Sequence, residues 1–338
     1  MRPEVLFICG SMNQTTQMHQ IAQQLPECES FFSPHYCDPP LSYLVKHGMA
    51  EWTVVGSGHV SRCLKYLEDH KLSIDIAGKD REYDLVVTCS DLVLPRNIRK
   101  RPIVLVQEGM TDPENFAFHM VRKLRFLPRW IASTSTTGLS DGYVKFCVAS
   151  DGYRELFIQK GVDPKKIVVT GIPNFDNCAR FRQNNFAYKH FVLVCTSDAR
   201  ETCKYENRKK TIREALRIAD GRLLIFKLHP NENRARAERE IKAIVPNALV
   251  FARGSAEEMI ANCDVLITSY SSTVYVGVAL HKEVHSRFRL EHLRKLMPVQ
   301  NGCAALNIAN VCREVLSGRL IHVANDDFPR IAQLVGAV

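Results

Sequence analysis

Short apolar runs rich in β-branched residues alternate along the chain with longer mixed segments. Parallel βαβ units produce this pattern, because their strands are buried on both faces. The first series predicts strands at Val5–Cys9, Leu85–Thr88, Ile103–Val106, Lys145–Ala149 and Ile167–Thr170, with helices over Met18–Leu25, Ser61–His70 and Gly152–Lys160. A second series predicts strands at Phe191–Thr196, Leu223–Leu228, Ala248–Phe251, Val265–Thr268 and Glu283–Arg287. Its helices fall over Arg208–Ala219, Arg234–Ile244, Ala256–Ala261, Val274–Leu280 and Asn307–Leu316. Between the series, Asn174–His190 has almost no aliphatic residue and reads as an interdomain connection. The expected fold is α/β, with two Rossmann-like doubly wound domains, residues 1–176 and 177–338, facing a cleft. Ligands are expected at the carboxyl ends of the strands.

The length of 338 residues suits two domains, at ~150 residues each. With 46% hydrophobic and 24% charged residues, disordered and low-complexity classes are excluded. Lysine and arginine outnumber acids 45 to 36, and the resulting +9 favours anionic partners. The positive residues are dispersed rather than gathered into a stripe with interleaved aromatics, so nucleic acid is not the expected partner.

Twelve cysteines are scattered without a CxxC pair, which disfavours structural zinc and thioredoxin-type chemistry. Cys9, Cys89, Cys147 and Cys195 sit in apolar runs as small hydrophobes, a usage expected of a cytoplasmic protein. No run approaches the ~18 apolar residues of a membrane span, so any membrane contact is expected to be peripheral. The basic run Arg122–Arg129, with Phe126 and Trp130, is either a solvated face or an acceptor or lipid-headgroup surface.

Three segments carry candidate chemistry. In CDVLITSYSSTVYVGVAL (Cys263–Leu280) a strand ends at a polar turn, and Ser271, Ser272 and Thr273 open a helix whose unpaired N–H groups and hydroxyls suit an anion. The plain alternative is an ordinary N-cap. In RLLIFKLHPN (Arg222–Asn231) an apolar strand delivers Lys227, His229 and Pro230 to its carboxyl end, where an imidazole can donate to a phosphate oxygen or be purely structural. In RPIVLVQEGMTD (Arg101–Asp112) a buried strand ends in Gln107, Glu108 and Gly109, placing a carboxylate where it can act as general base or sit in a salt bridge. Asp91 and Asp112 are rival carboxylates at similar strand ends.

Further signals come from Gly171-Ile172-Pro173-Asn174, which reads as a turn into the hinge, from Thr196–Glu201, where Arg200 is within reach of a phosphate, and from the opening loop Gly10–Gln14. Neither that loop nor Gly56-Ser57-Gly58 is a GxGxxG fingerprint, and Walker A and HExxH motifs are absent. His281 and His285 have metal-like spacing across a segment that reads as a turn into a strand.

Together, KLHP (Lys227–Pro230), CDVLITSYSS (Cys263–Ser272) and VVTGIPNFD (Val168–Asp176) resemble glycosyltransferases of the GT-B fold. The likeness is to the group using cytidine-activated donors: bacterial sialyl- and polysialyltransferases, Kdo transferases and the CDP-glycerol glycerophosphotransferases of teichoic acid synthesis. It spans Pro102 to Val284. In those families a His-Pro and a Ser-Ser/Thr motif bind the donor's phosphate and nucleotide, and an acidic-acidic-Gly or His-Gly motif holds the base. Here His229 and Ser271-Ser272 match the first two, and Gln107-Glu108-Gly109 matches the last in its second and third positions.

The resemblance implies an inverting, metal-independent transferase of cell-surface glycan synthesis. It would move a sugar or polyol phosphate from a CMP- or CDP-linked donor to a glycan or lipid-linked hydroxyl. Glu108 and His229 are the expected catalytic residues. Lys227, Pro230, Ser269, Ser271, Ser272, Thr273, Arg200 and Gly171 are expected at the donor, and Asn13, Gln14 and Gln107 at the acceptor. No metal or cofactor is expected.

The stretch Ser140–Pro173 also resembles UDP-N-acetylglucosamine 2-epimerases, although GSMNQTT lacks their GTRPE-like loop and SYSSTVYVG their Ser-Gly-Gly helix start. An epimerase on a UDP-sugar and a noncatalytic nucleotide-binding protein are the alternatives.

Overall fold

The computed structural model describes residues 2–39, 41–47, 56–124, 127–197, 199–201 and 205–331. The chain divides into two compact units, Met1–Asn174 with Cys303–Val338, and Phe175–Gly302.

The first unit runs β1 (Glu4–Cys9), α1 (Met12–Ala22), β2 (Glu29–Pro34), α2 (Leu41–Lys46), α3 (Ser57–Asp69), β3 (Leu85–Thr88), β4 (Ile103–Val106), α4 (Phe116–Lys123), β5 (Lys145–Val148), α5 (Asp151–Lys160) and β6 (Ile167–Val169). All six strands are parallel, in the order β2-β1-β3-β4-β5-β6. β3 and β4 are apolar but for Thr88 because neither face meets water: both are buried at every residue.

β2, ESFFSP, was not expected from the sequence, since only its two phenylalanines are apolar. It forms at the sheet edge, where a terminal Pro34 leaves no central ladder bond unmade. Its buried Ser33 hydroxyl is satisfied by donating to Pro34 O and accepting from Ala77 N. Helix α1 begins at Met12 rather than Met18, capped by the Ser11 side chain, which accepts from Gln14 N. The sequence hid this start because Gln14, Thr15 and Gln17 are polar yet buried.

The second unit runs β7 (Val192–Cys195), α6 (Arg208–Ala219), β8 (Leu224–Lys227), α7 (Arg234–Lys242), β9 (Leu249–Phe251), α8 (Ala256–Asn262), β10 (Val265–Thr268), α9 (Thr273–Ala279), β11 (Glu283–His285) and α10 (Leu290–Leu296). Its five parallel strands lie in the order β11-β10-β7-β8-β9. In both sheets the chain steps to one side of the first strand and then returns to its other side. That reversal creates a switch point between β1 and β3, and another between β7 and β10, where doubly wound folds bind ligands.

Two boundary expectations are corrected. Residues after 302 do not continue the second domain: α11 (Ala304–Ile331) contributes Ile308, Ala309, Val311, Cys312 and Leu316 to the core of the first unit. Asn174–His190 is not a bare connection either. Phe175 and Cys178 are buried, and Gln300 clamps them by donating to Phe175 O and accepting from Cys178 N.

His35, just beyond β2, is buried, and its Nδ1 has no hydrogen-bond partner among the described residues. Burial lowers its pKa from 6.5 to about 4. The folded state therefore holds His35 neutral while the unfolded chain takes up a proton, so this stabilisation is intact above pH 6.5 and is lost as pH falls toward 4. In urea titrations, His35→Leu is expected to remove roughly 3 kcal/mol of the parent's loss of stability across that interval. Parallel pH profiles for the two proteins would contradict this.

Candidate active site

In the first unit, β4 ends at Val106, and Glu108, two residues on, meets the N-terminus of α1. Ser11 Oγ donates to Glu108 Oε1 at 2.7 Å, Gln14 Nε2 to Oε2 at 2.6 Å, and Asn13 Nδ2 to Oε1 at 3.5 Å. Asn13 Nδ2 and Gln17 Nε2 also donate to the Glu108 carbonyl, at 3.2 and 2.8 Å. The first turn of α1 has no acidic residue of its own, so the half-buried Glu108 carboxylate complements its positive end. A carboxylate offers about four lone-pair positions. Three are taken by fixed side chains, leaving room for one substrate hydroxyl.

Asn13 and Gln14, expected at the acceptor, thus hold the carboxylate. Ser11, absent from the expected set, does so at the shortest Oε1 contact; its position in an N-capping loop was the available signal. Asn174 extends the network, donating to Asn13 O at 2.8 Å and accepting from Gln20 at 2.8 Å.

Gln107 is corrected. It is buried, its amide donates to Gly109 O at 2.8 Å and its oxygen accepts from Ala149 N at 2.9 Å, so it braces the strand end and does not reach a ligand. The rival carboxylates are also committed: Asp91 to Arg129 and to the N–H groups of Gly138 and Ser140, Asp112 to Thr134. Gly171, expected at the donor, is a buried turn of the first unit with φ +85°, a conformation that glycine adopts at little cost.

In the second unit, His229 and Ser269–Thr273 follow β8 and β10, the two strands that flank β7. The carboxyl ends that carry them are therefore two strand spacings apart, about 9–10 Å, which a diphosphate and its sugar can bridge. His229 is half-buried. Its N–H donates to Thr196 Oγ1 at 3.0 Å, and its Nδ1 accepts from Asn231 N at 3.3 Å. That bond places the proton of the neutral ring on Nε2.

Ser271 Oγ and Thr273 Oγ1 lie 2.9 Å apart, and Ser271 Oγ accepts from Thr273 N at 3.3 Å. Ser272, helical in its own backbone, makes no capping bond. Helix α9 has only seven residues, so the hydroxyls rather than a long helix dipole give this turn its donor capacity. Ser269 lines a cavity of about 540 Å³ with Thr196, Thr268 and Arg208. Lys227 points back into the sheet edge: it is buried, donates to Leu228 O at 3.0 Å, and burial lowers its pKa. Pro230 is exposed and turns the loop.

Arg200 is corrected as a ligand residue. Its guanidinium donates two hydrogen bonds to the Glu240 carboxylate, both at 2.9 Å, and lies 3.7 Å from Glu232. It belongs to a cluster in which Arg208 pairs with Glu206 and Glu232, and Arg236 with Glu201. Burial pushes the Glu232 carboxyl above its usual range, against the Thr196 hydrogen bond and the Arg208 charge. Asp198 in the same loop, and Phe126 in the basic run, lie outside the described residues.

His285 Nε2 bonds Glu283 at 2.8 Å, so it is not poised with His281 as a metal pair. Among the described residues no group of three or more His, Cys, Asp or Glu is placed to hold a metal ion.

No protein-family model matches this sequence, and no curated protein matches it. Solved structures do. The wall teichoic acid polymerase TagF is similar with a TM-score of 0.53 at 11% identity, covering 94% of this chain and 90% of that one. A TagF variant soaked with CDPG gives 0.53 at 11%, covering 95% and 90%. The UDP-GlcNAc 2-epimerase from Neisseria meningitidis, bound to UDP-GlcNAc, gives 0.55 at 12%, covering 93% and 100%. The fold is therefore GT-B-like, with two Rossmann-like domains, as the sequence resemblance implied.

Arg208→Met leaves the Glu232 carboxylate with its nearest cation removed. The expected loss of stability is about 3–5 kcal/mol, measured by chemical denaturation, and a variant within the error of the parent would contradict the cluster's role.

Proposed function

We propose that this chain is an inverting transferase that moves a sugar, or a polyol phosphate, from a nucleotide-activated donor to a hydroxyl acceptor in cell-surface glycan synthesis. The observation that carries this reading is His229, held at the end of β8 by Thr196 and Asn231 with the proton of its neutral ring on Nε2, across β7 from the hydroxyls of Ser269–Thr273. As the bond to the donor breaks, negative charge grows on the departing phosphate. Donors aimed at that charge stabilise the transition state more than the ground state. His229 Nε2 and the Ser271 to Thr273 hydroxyls supply them without a metal.

Glu108 accepts the proton of the acceptor hydroxyl as the new bond forms. Its three side-chain partners fix its orientation, so a substrate hydroxyl meets a carboxylate already in place. The matched motifs and the likeness to a polymerase structure soaked with CDPG support a CMP- or CDP-linked donor. The acceptor is a glycan or lipid-linked hydroxyl. Nine of the described cysteines are buried as free thiols, which supports a cytoplasmic setting. No helix among the described residues is long and apolar enough to cross a membrane.

The epimerase fold neighbour supports a second reading, turnover of a UDP-sugar without an acceptor. A panel of CMP-, CDP-, UDP- and GDP-linked donors separates the two. A cognate donor raises the melting temperature by mass action, and a transferase then requires an acceptor for full turnover. His229→Ala is expected to lower turnover about 10²–10³-fold, and Glu108→Gln about 10²–10⁴-fold, with folding intact by circular dichroism. Turnover within a few-fold of the parent in His229→Ala would remove the leaving-group role. Acceptor-independent conversion of a UDP-sugar would favour the epimerase, and ligand binding with no turnover at all a noncatalytic protein.

A further inference from the structure

Side-chain amides at the start of α1 form a directed chain of donors and acceptors that ends on Glu108. Gln20 Nε2 donates to the Thr16 carbonyl at 3.2 Å and to Asn174 Oδ1 at 2.8 Å. Asn174 Nδ2 donates to the Asn13 carbonyl at 2.8 Å, to Thr16 Oγ1 at 3.0 Å, and to Asn13 Oδ1. Asn13 Nδ2 in turn donates to the Glu108 carbonyl at 3.2 Å and to Oε1 at 3.5 Å.

The sense of this chain is fixed. A side-chain amide has one accepting end and one donating end, and turning it over exchanges them. A main-chain carbonyl only accepts, so Thr16 O decides which end of Gln20 faces it, and Asn13 O does the same for Asn174. With its NH2 committed in this way, Asn174 meets Asn13 Oδ1 as a donor, which leaves Asn13 with its own NH2 toward Glu108. The opposite setting of Asn13 would put its oxygen against the Glu108 carbonyl and carboxylate with no proton between them, a loss greater than that of the bonds alone. Asn174 is itself firmly placed. It lies in the short turn Pro173–Phe175, the last residue of the first unit, and Ile172, Pro173 and Phe175 around it are buried.

We infer that Asn174 is a positioning residue: it sets the orientation of the Asn13 amide, and through that amide the orientation of the Glu108 carboxylate toward the acceptor hydroxyl. This role rests on the transferase reading for what Glu108 does, and on the hydrogen bonds alone for what Asn174 does to Glu108. An asparagine that merely fastened its turn to α1 would make the same bonds, but the effect of replacing it would not depend on Asn13 or on Glu108.

Asn174→Asp separates the two roles, because a carboxylate of the same shape still accepts from Gln20 and Thr16 but no longer donates to Asn13. In the full chain its kcat is expected to fall roughly 10–100-fold, with the donor KM within about twofold of the parent, since the groups assigned to the donor lie in the second unit. In an Asn13→Ala background the same change is expected to cost less than about twofold, the amide it acts through being gone. An unchanged kcat, or a loss as large with Asn13→Ala as without it, would overturn the inference. A second arm uses no substrate. Asn174→Asp is expected to lower the urea midpoint, and addition of Glu108→Gln to restore part of that loss, because a neutral amide in place of the carboxylate can donate to the turned Asn13 oxygen. Equal losses in the parent and Glu108→Gln backgrounds would also overturn the inference. If the parent itself turned over no nucleotide-linked donor, the transferase reading would fail and the urea arm would still decide the role of Asn174. Asn174→Ala, which removes the donor without adding charge, carries both arms if Asn174→Asp does not fold.

Discussion

A single buried hydroxyl joins the ends of two strands in the second unit. Thr196, just past β7, accepts the N–H of His229, just past β8, and donates to the carboxylate of Glu232. The Glu232 side chain is fully buried, and burying a carboxylate is costly unless charges and donors surround it. Arg208 from α6 and Arg200 from the loop after β7 supply that surrounding, and Glu206 and Glu240 hold the arginines in turn. The His229–Glu232 turn is closed on itself by Glu232 N donating to His229 O at 3.0 Å. The imidazole thus inherits its position from a network that reaches it through its backbone and Nδ1.

The first unit solves a similar problem with one carboxylate in place of a cluster. Glu108 is what permits the polar face of α1 to be buried, since Ser11, Asn13, Gln14 and Gln17 all end on its side chain or carbonyl. A helix with Gln14 and Gln17 inside would otherwise leave amides without partners. The same bonds that complete the fold therefore orient a carboxylate at a strand end, and structure and chemistry share one set of atoms. In both units the group with reactive potential lies at a carboxyl strand end and is held by residues that follow another strand of the same sheet, α1 after β1 for Glu108 and Thr196 after β7 for His229. Ligand sites of doubly wound sheets are built in this way.

The fold alone leaves the reaction open, because GT-B-like structures carry both a teichoic acid polymerase and a sugar epimerase. What narrows it here is side-chain chemistry: an imidazole with a defined tautomer, a turn rich in hydroxyls and a carboxylate with one unfilled position. None of these is a dinucleotide fingerprint or a metal cage.

Much of the fold was legible because its signals are local. A parallel strand buried on both faces is a nearly continuous apolar run, so β3, β4 and β10 could be placed to the residue from the sequence alone, and α6 likewise from its period. His229, Glu108 and the serine turn were legible as strand-end residues for the same reason. The rest depended on partners far away in sequence. β2 is too polar to announce itself and exists because the β1 edge receives it. Helix α1 starts early because Glu108, more than ninety residues on, satisfies its polar face. Helix α11 lends its apolar stripe to the first unit, although the chain has by then passed through the second. Arg200 and Gln107 have the right residue type for a ligand, and only the folded chain shows that Glu240 and the main chain had already taken them. Periodicity reports whether a side chain is buried; what it is buried against is settled when distant segments meet.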